Sequence, residues 1–552
     1  MSDEDAWDVL TFMALAWALR EALDQYDMAP MVAGPAAFAA TVLCALALRR
    51  LFDRQFGEPA PPPDAAPTCT PPLRIYSCLL RSQLRADTAL DSAPAGVLEP
   101  KQLVVALNEQ RISGGRRRIQ VGRLAIDLGT SGPGQIKPIG WLSTTTNDGD
   151  SIVAVLPPGE AASAWTWRGL MALENEWDSQ ALDAFDRAWE QHRLIPATKH
   201  AHGMATSAKL RHDAEQLDWL ATRELLPRAA STAASTLRKV HGILFQPLES
   251  AERCPGRGVA EDEPRLVSFP TGALLLAPSL RRKLQGWYCS PLYVAPAAAI
   301  QKASALSSTL DWSAVQAEYA RSVSSSGVGL AVVDNLLSLE ALERLTNFCI
   351  ASTIWTDFNY QTYVGTSLRQ GLGCGIVVQI ARELRSALGP LLAGRPLREA
   401  WVYKYDSGNG NANAVSPHGD AAAINVNIWL TDWQPIAQPS GQSAGKEKEG
   451  GGGLKLWLQE APAHWDFESY NRRPTKLLAW LADLEAREGD EAVKTVRVNH
   501  QRNRAVIFNS NLIHQSDTSS AEGSLSATTS AFENRRMNLT MLFGDREASH
   551  KQ

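Results

Sequence analysis

Four side chains toward the C-terminal end of this chain have types and spacings that could do chemistry together. His418 and Asp420 stand two residues apart in Ser416-Pro417-His418-Gly419-Asp420. On an extended strand, residues i and i+2 point to the same face, so an imidazole and a carboxylate would converge. His514 follows Phe508-Asn509-Ser510-Asn511-Leu512-Ile513 and can arrive on a second strand. Two neutral imidazoles and one carboxylate form a facial set around a divalent metal. That set leaves about three positions open, which suits Fe(II). Arg536 opens the strand pattern Met537-Asn538-Leu539-Thr540. Its planar fork can grip a ligand carboxylate through two parallel hydrogen bonds. A lone His-x-Asp arises often by chance, but the second His and the Arg each add a separate chemical reason.

Other residues compete for these roles. His464 lies in a Pro-flanked loop before Trp465, and His500 precedes a turn; neither follows a strand as His514 does. Asn425 and Asn427 alternate toward one face of a strand, where they could reach a bound ligand or satisfy buried backbone groups. Trp429, Trp457 and Trp465 read as core. His212 and Asp213 are adjacent on a helix and point to different faces, so they read as capping or core residues rather than metal ligands.

Elements must position these groups. From Trp401 onward, short β-rich runs alternate with turns, and Val328–Asp334 precedes them as a strand with an acidic turn. Ser338, with Glu340 behind it, starts a helix in N-cap fashion, and a second helix covers 375–388. The runs 400–405, 423–430, 454–458, 493–498, 505–508 and 537–543 predict a double-sheet jelly roll behind a helical buttress. Two stretches interrupt it: Gln438–Gly453, rich in Gly, Ser, Lys and Glu, and Ser516–Ser530, rich in Ser, Thr and Ala. Thr475–Glu491 reads as an inserted helix. These stretches account for the 96 residues from His418 to His514 and the 22 from His514 to Arg536. Loop length costs little thermodynamically.

The whole chain reads as multidomain α+β. Residues 73–158 predict a small SH3-like β domain, with strands at 103–107 and 118–121 around the turn Ser113-Gly114-Gly115. The Arg116-Arg117-Arg118 run reads as a solvated hairpin edge. Residues 159–320 read as mostly helical. Trp165, Gly169, Ala181, Phe185 and Ala188 have the spacing of one tetratricopeptide-like helix pair. Residues 321–552 hold the chemistry.

The N-terminal part, 1–72, is different in kind. Met28–Leu48 is a run of 21 uncharged residues, long enough to cross a bilayer core. Arg49, Arg50 and Arg54 follow it, which would place the C-terminal side in the cytoplasm. A buried Ala-rich helix is the other reading, because Pro30, Gly34 and Pro35 weaken the segment. The acidic start argues against a cleavable signal peptide. A Pro-rich linker follows at 55–72. The chain is therefore expected in the cytoplasm, or on the cytoplasmic side of a membrane.

Composition excludes several classes. Apolar residues are 45% and charged residues 20%, which fits a globular protein. The net charge of -5 gives no reason to expect a nucleic-acid partner. The 7 cysteines are scattered without a CxxC pair, so neither a disulfide framework nor a zinc site is signalled.

The region 328–546 resembles the Fe(II)/2-oxoglutarate-dependent dioxygenases of the prolyl 4-hydroxylase-like type. The residues that carry the resemblance are Trp401-Val402-Tyr403-Lys404-Tyr405, Pro417-His418-Gly419-Asp420, Asn425-Val426-Asn427-Ile428-Trp429, Gly451-Gly452-Gly453-Leu454, Asn503-Arg504-Ala505-Val506-Ile507-Phe508 and Arg535-Arg536-Met537-Asn538-Leu539-Thr540. The resemblance implies a double-stranded β-helix, with His418, Asp420 and His514 as iron ligands. It implies Arg536, rather than Arg535, as the 2-oxoglutarate anchor. Tyr405 or Tyr403 would touch the cosubstrate, with Tyr405 preferred, and Asn427 is a further candidate. The implied cofactors are Fe(II), 2-oxoglutarate and O2, with room for ascorbate. The implied activity is hydroxylation of an unactivated C–H bond, with a peptidyl or protein side chain as first choice of substrate. The rival readings are a catalytically silent scaffold recruiting partners through the SH3-like and helical regions, and a cupin-like metal enzyme without 2-oxoglutarate affinity.

Overall fold

The computed structural model describes residues 73–89, 91–112, 117–124, 136–146, 148, 150–194, 204–245, 267–268, 284, 286–358, 363–405, 415–432, 453–462, 464–488, 494–516 and 532–546. All of them fall in one compact unit, Thr70–Gln552. The apolar run 28–48, the Pro-rich stretch 55–72, residues 113–116, 438–452 and 517–530 lie outside the described residues. Among the described residues, no helix is long and apolar enough to cross a membrane.

Seven strands come first: β1 (Ile75–Cys78), β2 (Ser82–Arg85), β3 (Pro94–Leu98), β4 (Leu103–Arg111), β5 (Arg117–Arg123), β6 (Pro138–Ser143) and β7 (Val153–Val155). They form one antiparallel sheet in the order β3-β2-β6-β5-β4-β1-β7. The period-2 alternation of side chains gives it two apolar faces. Tyr76, Cys78, Val104, Ile119, Val121 and Leu142 bury one cluster. Ile75 and Val105 pack the other face against Trp165, Ala184 and Ala188. Arg118, expected on a solvated edge, is instead buried. It donates to the Trp141 carbonyl at 3.1 Å, which satisfies part of a guanidinium that could not otherwise leave water.

The helices α1 (Pro158–Glu174) and α2 (Asp178–His192) follow, and Pro158 opens α1 where a missing N–H costs nothing. Trp165, Gly169, Ala181, Phe185 and Ala188 are all buried. Gly169 is required by close approach: a Cβ there would lie 2.6 Å from the Phe185 ring. Next, β8 (Met204–Ala205) pairs with β9 (Val267–Ser268), and between them run α3 (Ser207–Thr222) and α4 (Ala229–Leu244).

The remainder builds the site. In chain order it contains α5 (Trp312–Ser326), β10 (Leu330–Val333), α6 (Leu339–Ala351), β11 (Tyr363–Ser367), α7 (Gly375–Ala387), α8 (Gly389–Leu392), β12 (Leu397–Tyr405), β13 (Ile424–Trp429) and β14 (Leu454–Glu460). Then come α9 (Phe467–Asn471), α10 (Pro474–Glu488), β15 (Thr495–Val498), β16 (Ala505–Asn509), β17 (Leu512–Ser516) and β18 (Met537–Phe543). Ser338 caps α6, its side chain accepting from the Ala341 N–H, as the sequence predicts. The strand β11 carries no sequence signal beyond Tyr363 and Val364.

These strands form two antiparallel sheets. One has six strands in the order β10-β16-β13-β18-β12-β11, and the other three in the order β15-β14-β17. Trp429, Val506 and Phe508 of the larger sheet meet Leu454, Leu456, Val498 and Leu512 of the smaller one. The opposite face of the larger sheet, including Val402, Val426, Leu539 and Met541, packs on Leu345, Phe348, Ile380 and Leu384 of α6 and α7. Each large apolar side chain buried this way contributes about 1.5–3 kcal/mol. The helices α9 and α10 cover the outer face of the smaller sheet, where Tyr470, Leu477 and Leu481 pack on Trp457 and Ile513.

Polar groups are also buried behind the larger sheet. Lys404 is 0% exposed, and its Nζ lies 3.4 Å from the centre of the Phe532 ring. Burial, and then the Arg535 guanidinium, holds its pKa well below the ordinary lysine range. His212 and Asp213 are both in this core. Contrary to the expected divergence, His212 Nδ1 lies 3.1 Å from Asp213 Oδ1, because the short carboxylate folds back toward Lys209 at 2.6 Å.

Candidate metal centre

The smaller sheet is extended by one backbone bridge. The His418 N–H donates to the His514 carbonyl at 3.0 Å, and the His514 N–H returns to the His418 carbonyl at 2.9 Å. That pairing places two imidazoles side by side with ring centres 4.3 Å apart. Asp420, two residues on, is turned to the same face. Its Oδ2 lies 3.3 Å from His514 Nε2 and its Oδ1 lies 3.7 Å from His418 Nε2. One donor atom from each of the three residues lies within 4.8 Å of the others. Cis ligands of a single octahedral ion, each about 2.1 Å from it, sit about 3 Å apart, so the separations are near those a metal would set.

The surroundings hold the donors in the forms a metal needs. His418 Nδ1 lies 2.8 Å from the Ser416 carbonyl, and His514 Nδ1 lies 2.9 Å from the Leu512 carbonyl. Each Nδ1–H is thus committed to the backbone, which leaves the Nε2 lone pairs for coordination. Burial, and then His514, pushes the His418 pKa down to about 4, so this ring is neutral near pH 7. Burial would push Asp420 up, but the imidazoles of His514 and His418 beside it and the Asn425 amide outweigh it and hold the carboxyl below its usual range. The Asn425 amide donates to Asp420 Oδ2. Phe508 packs edge-on to His514 at 4.9 Å and closes the apolar side.

A polar strip runs from this centre between the sheets. The register of β12, β18 and β13 sets Tyr403 beside Asn538 and Asn538 beside Trp429, and Trp401 beside Thr540 and Thr540 beside Asn427. Tyr405 Oη lies 3.4 Å from Ser516 Oγ, and Ser516 is two residues past His514, about 7 Å along the strand. The Arg536 guanidinium carbon lies 4.4 Å from the centre of the Tyr405 ring, and its Nη2 donates to the Gly453 carbonyl at 3.2 Å. Gly453 must be glycine there, because a Cβ would meet the Val498 carbonyl at 1.8 Å. The buried oxygens Asn427 Oδ1 and Asn538 Oδ1 have no hydrogen-bond partner among the described residues. Buried polar atoms without partners are costly, and these two oxygens can accept from a polar molecule that enters the strip.

The sequence-level candidates thus separate cleanly. His418, Asp420 and His514 converge, with Tyr405 and Arg536 stacked together nearby. Tyr403 and Tyr405 both pack on Tyr363, at 4.6 and 5.4 Å, and Tyr405 is the one that stacks on the Arg536 guanidinium. Arg535 turns to the opposite side and pairs with Glu215 at 2.7 Å. His464 is exposed, and His500 packs on Trp429 at 5.4 Å, away from the three donors. Trp429 lies in the core between the sheets, and Trp457 and Trp465 lie in the layer under α9 and α10. Sequence reasoning missed Ser516 and Asn471. Ser516 could have been found by counting two residues on from His514; Asn471 has no local signal.

No protein-family model matches this chain, and no curated protein matches it. Among solved structures, it is similar to the non-heme alpha ketoglutarate dependent epimerase SnoN from nogalamycin biosynthesis, at 14% identity and TM-score 0.26, over 42% of this chain and 83% of that one. It is also similar to AviO1 from Streptomyces viridochromogenes, at 16% identity and TM-score 0.25, over 45% of this chain and 100% of that one. A third is HygX from Streptomyces hygroscopicus with nickel and 2-oxoglutarate bound, at 12% identity and TM-score 0.26, over 41% of this chain and 86% of that one.

Proposed function

We propose that this protein is an Fe(II)- and 2-oxoglutarate-dependent dioxygenase of the double-stranded β-helix type, related to the prolyl 4-hydroxylase-like branch. In this reading it hydroxylates an unactivated C–H bond of a peptidyl or protein side chain, and the regions 73–158 and 159–320 serve as accessory SH3-like and helical domains. The single observation that carries the metal part is the convergence of His418 Nε2, Asp420 and His514 Nε2 with both Nδ1 atoms tied to the backbone. The donor set fits Fe(II): two imidazoles and a carboxylate, with positions left open. Iron and 2-oxoglutarate, when bound, supply the oxidising power, with O2 consumed and the oxo acid leaving as succinate and CO2.

The chain's own residues bind, orient and exclude water. His418, Asp420 and His514 hold the metal. Arg536 takes the distal carboxylate with a planar fork, Tyr405 stacks on that fork, and Ser516, Asn427 and Asn538 offer hydrogen bonds along the way. Asn425 keeps the Asp420 carboxylate aimed at the metal, and Phe508 and Trp429 keep the space between the sheets dry. The substrate side rests on the resemblance alone and carries no residue assignment.

The test is succinate formation from 2-oxoglutarate by the full chain with Fe(II), beside Asp420→Ala. Iron-dependent turnover in wild type, absent in Asp420→Ala, is the expected result. Turnover that survives Asp420→Ala places the metal elsewhere and removes this reading.

A further inference from the structure

Beyond its three donors, the metal centre is gripped from outside. His418 and Asp420 spend their backbone bonds on one side: His418 with His514, and the Asp420 N–H on the Ser510 carbonyl at 2.9 Å. Backbone groups alternate in direction along a strand, so the N–H and C=O of the intervening Gly419 face the other way. No strand pairs with them there among the described residues. The Asn471 side chain does. Its Oδ1 accepts from the Gly419 N–H at 3.0 Å, and its Nδ2 donates to the Gly419 carbonyl at 2.9 Å. One amide side chain thus reproduces the donor and acceptor of a missing strand, 52 residues away in sequence.

Asn471 is itself fixed. It ends α9, which Asp466 caps by accepting from the Ser469 N–H at 2.8 Å. Tyr470 beside it is buried and packs on Phe467 and Trp465. Arg546 lies over Phe467 at 4.7 Å and donates to Asn511 Oδ1 at 2.9 Å, which ties α9 to the turn that leads into β17. We infer that Asn471 is a positioning residue for the metal centre, fixing the spacing of His418 and Asp420 through the peptide between them. The short helix α9 is then part of the site's rigidity rather than a passive surface excursion. This inference rests on the proposed metal reading.

A matched control exists in the same fold. Asn503 makes the same double bond to a peptide, accepting from the Leu337 N–H at 2.9 Å and donating to the Leu337 carbonyl at 2.8 Å. It clamps a loop before α6 and touches none of the three donors.

The experiment is Co(II) titration of the full chain, followed by calorimetry and by the visible absorption of the bound ion, with Tm measured without metal. Asn471→Ala is expected to raise the Co(II) Kd about 10- to 100-fold, the usual cost of losing an outer-shell partner, and to shift the Co(II) absorption. Asn471→Asp, which keeps the acceptor and loses the donor, should fall between. Asn503→Ala should lower Tm and leave the Kd within about threefold. Wild-type binding with an unchanged Kd and spectrum in Asn471→Ala overturns the positioning role and leaves the metal reading standing. Equal losses in Asn471→Ala and Asn503→Ala overturn it too, as a general stability effect. Failure of wild type to bind Co(II) removes the metal reading, and this one with it.

Discussion

Replacing Arg536 with Met distinguishes an anchor for a diacid from a merely structural cation. Arg536 is 7% exposed, stacks on Tyr405, and spends one N–H on the Gly453 carbonyl. A carboxylate delivered to its fork would be largely desolvated. Truncating one partner of a buried, hydrogen-bonded charge pair costs about 2–5 kcal/mol. At about 1.4 kcal/mol per decade, Arg536→Met should weaken 2-oxoglutarate binding roughly 30-fold to several thousand-fold. Arg536→Lys keeps the charge and loses the fork, so it should fall between. The assay is calorimetric titration of 2-oxoglutarate into Co(II)-loaded protein. Arg535→Met is the internal control, because Arg535 pairs with Glu215 on the other side of the strand; it should lower Tm and leave the affinity alone. Two results refute the reasoning: Arg536→Met binding within threefold of wild type while still holding Co(II), or Arg535→Met carrying the loss.

Two further predictions concern stability. Lys404→Met replaces a wholly buried amine, with no hydrogen-bond partner among the described residues, by an apolar side chain of similar length, and removing such an unsatisfied group should stabilise by about 1–3 kcal/mol. The folded pKa of Lys404 lies below that of the unfolded chain. Between the two values only the unfolded state takes up the proton, so this group makes wild-type stability fall as pH drops below its unfolded pKa. The advantage of Lys404→Met should therefore be larger at pH 7 than at pH 9.5; an advantage independent of pH in thermal unfolding would contradict it. Gly169→Ala sets two effects against each other. Helix propensity favours Ala by about 1 kcal/mol, but the new Cβ would lie 2.6 Å from the buried Phe185 ring, and overpacking costs about 1–3 kcal/mol. A lower Tm is expected, and a Tm above wild type would show that Phe185 can yield.

The convergence of the three candidate donors was legible in the sequence because its logic is local. His418 and Asp420 share a face by strand period alone, and the apolar run before His514 announces a strand. Arg535 and Arg536 differ by one residue, and the alternation that separates them has a phase set only by register. The structure fixes that phase: Tyr403 opposes Asn538 and Lys404 opposes Met537. Tyr405 and Arg536 then share the inner face, while Lys404 and Arg535 share the outer one. Strand phase does not choose between Tyr405 and Tyr403, which share the inner face and both pack on Tyr363 of β11; the contacts of Tyr405 with Arg536 and Ser516 do.

What was illegible is long-range. Arg535 meets Glu215 across 320 residues, and the Trp219 indole donates to Glu533 at 2.6 Å across 314. No periodicity in either segment encodes the other. The inserted stretch before β15 shows the limit most clearly. Its apolar spacing predicts a helix, and a helix forms. The low thermodynamic cost of a long excursion then invites the view that it leaves the core alone. That inference does not follow, because cheapness of insertion says nothing about where the inserted side chains land. Asn471, in the short helix α9 just before the inserted one, lands on the one peptide whose two neighbours are both donors to the candidate metal centre, so the length between His418 and His514 does more than close a loop.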